Sequence, residues 1–365
     1  MRALGAALLI GLAALSAKGA IAADAGPQGP LVSPFDIAAA RAVHGKARTA
    51  KPCGPPPPAV RDLTFDGFYA PGTGSSVIDE ARMAAYRAGT RPIDAFEKEI
   101  IARADAYVVA RPPTAADAGC ALTWLAAWAE GGAFLGQVSH QGGYNRKWAL
   151  CVAATTYLKI SAEPVLEASQ KNAVEDWLRR WAAVVRDDYS THTERASKRN
   201  NHLNWALWCV AAAAAATNDR EGLAWAVERY GFAIRQIAAD GTLPLEVERR
   251  SKAMHYHFFA AEPLVMMAEL GERNGLHLYD AEGGALHRLV GAVMQALADR
   301  SYLTNKAGYT QDFPAEPARS VIAWFEVYAA RYPAAGMAPW IARTRPLRHG
   351  NSGGDLTVLF SGRSP

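Results

Sequence analysis

From about residue 80 to residue 331 apolar positions recur at helical spacing, and strand-like alternation is scarce. Val174, Trp177, Leu178, Trp181, Val184 and Val185 form the i, i+3, i+4, i+7 stripe of a helix with one face on a core. Similar stretches predict helices near 80–90, 94–110, 115–133, 145–160, 201–217, 220–239, 251–272, 283–300 and 318–331. Turn formers fall between them, at Pro112-Pro113, Gly142-Gly143, Gly241 with Pro244, and Gly283-Gly284. Ala211 to Ala216 is a run of small side chains that lets neighbouring helices approach closely. The best strand candidate is the tail, where Leu356 to Phe360 reads as a short strand or as an apolar plug. This pattern implies an all-α fold of helices packed on helices in one domain. It does not by itself distinguish a bundle from a toroid of helical hairpins, and no fixed-period repeat stands out.

The two ends of the chain read differently. Arg2, the apolar stretch Ala3 to Ala17 and the small-residue run Ala20-Ile21-Ala22 have the layout of a cleaved export signal over 1–22. Residues 23–60 lack a regular pattern, and Pro55 to Pro58 should be extended. A single domain is expected over 61–365. No later stretch is long and apolar enough to span a bilayer, so a periplasmic or secreted protein is expected. The formal charge of +4 includes Arg2 and Lys18 of the signal. There are no basic blocks and no nucleic-acid-binding motif, so no nucleic-acid partner is expected. A monomer is expected. Cys53, Cys120, Cys151 and Cys209 show no C-x-x-C spacing. A Cys53–Cys120 bridge is compatible with export, while Cys151 and Cys209 lie in apolar helical runs that suit buried free thiols.

Two stretches concentrate polar chemistry. Asn200-Asn201-His202-Leu203-Asn204-Trp205 opens an otherwise apolar helix, and Glu248 to His257 carries Arg249, Arg250, Lys252 and Tyr256. On a continuous helix Arg249 and Tyr256 would share a face, with Lys252 one turn before the tyrosine. A cation beside a phenol favours the phenolate. Taken singly, each feature has an ordinary explanation. A lone histidine is more often a bonded core group, and a basic patch is more often a solvated face. His255 and His257 diverge on a helix and have no third partner at ligand spacing, so neither a metal nor a cofactor is expected.

Taken together, Asn200-Asn201-His202, Trp205, Arg249 and Tyr256 resemble the alginate lyase family of bacterial poly(β-D-mannuronate) lyases. Arg146-Lys147-Trp148-Ala149-Leu150, Thr217-Asn218, Leu243-Pro244 and Gly353-Gly354-Asp355-Leu356-Thr357 match as well, as do separations of 47 and 54 residues from His202 to Arg249 and Tyr256. The resemblance spans roughly 60 to 360. It implies an incomplete α/α toroid with a substrate groove and an acidic polysaccharide as partner, cut by β-elimination.

Such a reaction neutralises a uronate carboxylate, removes the C5 proton and expels the O4 oxygen. The resemblance gives the first task to Asn201 as amide donor and to Arg249 as guanidinium fork. Neutral His202 takes or shares the C5 proton and Tyr256 donates to the leaving oxygen. In a syn elimination, the version favoured for mannuronate, Tyr256 does both while His202 polarises. Substrate contacts are expected from Asn145, Trp205, Lys252, Tyr69, Tyr144 and Trp124, with Trp128 as a further flat face. One departure is clear. In the family's alginate-specific members the loop carries a lysine where Phe68 stands here, in Phe65-Asp66-Gly67-Phe68-Tyr69. That opens glucuronan, or another glucuronate polymer, as substrate. A glycoside hydrolase would need two placed carboxylates, and Asp312, Glu316 and Glu248 form no convincing pair. A non-catalytic polysaccharide binder is the remaining alternative.

Overall fold

The computed structural model describes residues 29–72, 77–333 and 336–362. The expected signal over 1–22 lies outside them. The helices are α1 (Ile37–His44), α2 (Glu80–Val108), α3 (Ala115–Glu130), α4 (His140–Ile160), α5 (Ala168–Ser190), α6 (Asn201–Thr217) and α7 (Arg220–Ile234). There follow α8 (Pro244–Val247), α9 (Ala253–Arg273), α10 (Ala281–Ala298), α11 (Ser301–Ala307), α12 (Phe325–Arg331), α13 (Ala338–Thr344) and α14 (Leu356–Phe360). Two-residue strands β1 (Arg348–His349) and β2 (Gly354–Asp355) pair antiparallel.

Four helical hairpins, α2/α3, α4/α5, α6/α7 and α9/α10, build the body. Helices α2, α4, α6 and α9 pack on one another in that order as an inner row, and α3, α5, α7 and α10 lie outside them. The C-terminal segment, with β1, β2 and α14, fills the gap between α9 and α2. The architecture is therefore an incomplete α/α toroid. Inner helices touch neighbours all round, so their apolar residues cover every face. In α6 every residue but His202 and Ala216 is buried. Asn200 caps its start by accepting from the His202 amide, and left-handed Asn218 (φ 54°) ends it.

Other local choices aim the inner helices. Ser139 caps α4, and Leu63 bridges Val138 just before it. Gly142 is obligatory there, because a Cβ would come closer to the Leu63 carbonyl oxygen than atoms can approach. Lower in the core, a Cys151–Cys209 disulfide ties α4 to α6, and Cys53–Cys120 ties the N-terminal segment to α3.

Several expectations are corrected. Cys151 and Cys209 are bonded rather than free thiols; both lie on touching inner faces. The tail is helical: Leu356, Leu359 and Phe360 are buried, so the apolar-plug alternative holds and the strand does not. The stretches near 80–90 and 94–110 form one helix running through Pro92. Residues 29–60 include α1, and the carbonyls of Gly54 and Pro57 accept from Trp124 and Trp128. Among the described residues no helix is long and apolar enough to cross a membrane.

Candidate active site

The N-terminal ends of α4, α6 and α9 meet at one end of the inner row, and the polar residues converge there. His202, in the first turn of α6, stacks on Tyr144 of α4 with ring centroids 4.0 Å apart and planes 9° apart. Its Nδ1 lies 3.0 Å from the Lys147 amine. Burial holds the imidazole well below its usual pKa, and nearby Lys147 and Arg249 push the same way. His202 is therefore neutral at pH 7.

Asn201 faces Glu246 of α8. Its backbone N–H donates to Oε1 at 2.7 Å, and its Nδ2 lies 2.9 and 3.1 Å from the two carboxylate oxygens. The expected amide donor is thus turned toward Glu246, and Oδ1 is the atom left without a partner. Burial raises the Glu246 carboxyl to about 7, against the opposing bonds from Asn201.

Arg249 and Tyr256 do meet, but not by sharing a helix. Arg250 has φ 57°, a 3-10 turn covers Arg250–Lys252, and α9 begins only at Ala253. The turn folds the Arg249 guanidinium over the Tyr256 ring, 4.0 Å from its centroid. Burial raises the Tyr256 pKa, Arg249 opposes it, and Tyr69 and Glu246 add to the rise. Burial wins, so the expected lowering is corrected and the resting group is a phenol. Lys252 is engaged by an acid instead. It is half exposed and pairs with Asp312 at 2.5 Å.

The other expected contacts divide. Tyr69 flanks Tyr256 electrostatically, and Phe68 packs against Tyr69 and Tyr86 with centroids 4.5 and 5.1 Å apart. Asn145 is half-buried, donating to the Tyr86 hydroxyl at 2.8 Å and accepting from Gln141 at 3.0 Å. Tyr144 supports His202 by one face rather than offering a free platform. Trp205 is fully buried against Phe259 and His349, so no sugar can reach it. Trp124 and Trp128 are core residues as well, held by the carbonyls of Gly54 and Pro57. Their helices pack on several sides, and bulk wins over display. His257 is also core, bonded to the Leu243 amide and the Ala253 carbonyl, so it and His255 diverge.

Three groups were missed by sequence reasoning. Lys147 is buried in α4 with its amine 3.0 Å from the Tyr189 hydroxyl. Glu246 fixes Asn201. His349 pairs with buried Glu262 at 2.8 Å, and Ser352 donates to the same oxygen. Burial pulls the His349 pKa down, but Glu262 outweighs it and the net shift is upward. A cavity of about 170 Å³ between His255, Phe259, Glu262 and His349 adjoins the Tyr256 side of the site. The Arg146-Lys147-Trp148 run was the one available sign of Lys147.

Comparisons with known proteins fit this geometry. The family profile for alginate lyase matches residues 68–303. A polysaccharide lyase of Stenotrophomonas maltophilia is 32% identical over 332 residues, 89% of this chain and 96% of its own. An alginate lyase of Azotobacter vinelandii is 33% identical over 314 residues, 84% and 83% of the two chains. Alginate lyase A1-III of Sphingomonas species A1 superposes with a TM-score of 0.81 at 26% identity, covering 92% of this chain and 97% of that one. Two tetrasaccharide complexes of A1-III variants also superpose, with TM-scores of 0.82 and 0.80 at 25% identity. One variant replaces a histidine with alanine and the other a tyrosine with phenylalanine. Those two positions lie 54 residues apart, as His202 and Tyr256 do here.

Proposed function

The chain belongs to the alginate lyase family, and from that premise we propose that it cleaves a polyuronate of the alginate type by β-elimination at the His202–Arg249–Tyr256 cluster. The observation that carries this reading is the convergence of an imidazole, a guanidinium and a phenol from separate chain segments, with the family's spacing. The tetrasaccharide bound by a related enzyme supports a chain-like substrate.

Arg249 supplies a fixed cation for the uronate carboxylate, which lowers the cost of the carbanion-like charge that develops as C5 loses its proton. Neutral His202 adds a hydrogen bond to the same carboxylate. Tyr256, as phenolate, takes the C5 proton. The C5–H electrons form the C4=C5 double bond, the C4–O4 bond breaks, and the tyrosine returns the proton to O4. One side chain thus acts on both atoms in a syn elimination, which restores the phenolate for the next cycle. Asn201, buried and bonded to Glu246, anchors the start of α6 that carries His202.

Substrate preference has a second reading. Phe68 occupies the place of the family's loop lysine and sits in an aromatic cluster with Tyr69 and Tyr86. A ring in place of a cation removes a carboxylate contact and leaves an apolar face in the loop, so the loop no longer specifies mannuronate and a glucuronate polymer is the second candidate. Purified protein should be offered polymannuronate, polyguluronate and glucuronan while the ultraviolet absorbance of unsaturated uronate is followed. Absorbance with at least one of these supports the lyase reading, and the fastest polymer identifies the substrate. New reducing ends without absorbance would mean hydrolysis instead. Export to the periplasm or beyond belongs to the same proposal, supported by the N-terminal pattern and by two disulfides, which persist in oxidising compartments.

A further inference from the structure

Lys147 is fully buried, yet no carboxylate pairs with it among the described residues. Its amine meets the Tyr189 hydroxyl and His202 Nδ1, both at 3.0 Å. Around it stand the rings of Trp148, Tyr144 and Tyr189, with centroids 4.6, 5.0 and 5.4 Å away. Asp188 of α5, the nearby acid, is already engaged by Lys198 at 2.7 Å. A buried ammonium without a counter-ion is costly. Burial accordingly pushes Lys147 well below the usual lysine pKa, Lys198 adds to this, and Asp188 opposes it.

The bond between Lys147 and His202 couples their protons. An amine is intrinsically more basic than an imidazole by about 4 pKa units. Any proton that the pair gains therefore rests on Lys147. The ammonium then donates to His202 Nδ1, which must be the acceptor, and the imidazole proton sits on Nε2. The aromatic rings around the amine suit a cation. What the cage lacks is a negative charge, and a uronate carboxylate beside His202 brings one.

Resting on the lyase reading above, we propose that Lys147 takes up a proton when a polyuronate binds, and thereby holds His202 as the tautomer whose Nε2–H donates to the substrate carboxylate. Lys147 is a positioning residue, since it acts through His202. The proton comes from solvent, and the substrate is the counter-ion that the buried amine otherwise lacks. The surrounding titratable and charged groups are Tyr144, Asp188, Tyr189, Lys198, His202 and Arg249. Of these Asp188 alone is an acid, and it is the one held by Lys198.

Titration calorimetry tests this. Tetramannuronate or tetraglucuronate is titrated into the Tyr256→Phe protein near pH 7, in buffers of different ionisation heat. The expected result is net uptake of about one proton per bound oligosaccharide, lost when Lys147→Gln is added. Glu246→Gln in the same background should keep the uptake, which separates Lys147 from Glu246, whose carboxyl also titrates near neutrality. Nitrogen NMR of labelled histidine in the Tyr256→Phe complex, with Lys147 intact, should show His202 protonated on Nε2. Binding with no proton uptake, uptake that disappears with Glu246→Gln, or a proton on His202 Nδ1 would each overturn the proposal. Those results would leave the lyase reading standing, because absorbance by the unmodified enzyme tests that separately.

Discussion

The Arg249 guanidinium lies 4.0 Å from the centre of the Tyr256 ring, although a 3-10 turn and a left-handed Arg250 separate the two residues. The turn, rather than helical periodicity, brings the cation over the ring. This sets two opposing effects on one phenol. Burial favours the neutral form and Arg249 favours the phenolate, with burial the larger.

A pH dependence follows. In the proposed elimination the phenolate accepts the C5 proton, and the Tyr256 pKa lies above its ordinary value of 10.0. Below that pKa the reactive fraction grows as pH rises. At saturating polymer, kcat should climb between pH 7 and pH 9, by up to about tenfold per unit. A kcat that stays flat or falls over that range would rule out Tyr256 as the base.

Arg249 combines charge, a planar fork and a stacked position, and lysine preserves only the charge. Arg249→Lys should reduce kcat/KM by about 10²- to 10³-fold, the scale of losing one preorganised donor. Circular dichroism should be unchanged. A loss of less than tenfold would show that the fork does not meet the carboxylate.

Glu246 predicts a pH-dependent stability. Its folded pKa, about 7, is raised above the ordinary 4.5. The carboxyl therefore contributes stability that is fully present below about pH 4.5 and is lost as pH rises through 7. The shift corresponds to about 3 kcal/mol. Urea unfolding of wild type and Glu246→Gln at pH 4.5 and pH 8 measures the difference between them. The wild type should lose ground to the variant at the higher pH, and equal behaviour at both would contradict the assignment.

The Cys151–Cys209 bond joins α4 to α6 one turn below Lys147 and two turns below His202. Its 58-residue separation implies a stabilisation of about 4 kcal/mol by loop closure. Replacing both cysteines with serine should lower the unfolding midpoint. It should also reduce kcat more than the corresponding change at Cys53 and Cys120, which tie down an outer segment. Equal effects on kcat would mean that the inner bond does not hold the site.

The sequence made the helices legible because their apolar stripes and caps are local properties; α6 begins and ends where its pattern does. The grouping of His202, Arg249 and Tyr256 was legible through spacing and family resemblance. What failed depended on tertiary contact. Trp205 and Trp124 lie on helices apolar on most faces, so nothing local tells a groove-facing ring from a core ring. A lysine such as Lys147 inside an amphipathic run looks exposed until its neighbours are known. Two cysteines on different helices reveal a bond only when those helices touch. Leu356 to Phe360 is too short for its apolar run to distinguish strand from helix.

The most direct test is the initial rate of unsaturated-uronate absorbance for wild type and Tyr256→Phe on the polymer that the enzyme cuts fastest, with folding checked in parallel. The rate should fall by about 10³-fold or more when the hydroxyl proposed to move the proton is removed. A folded Tyr256→Phe protein within tenfold of wild type would contradict that role.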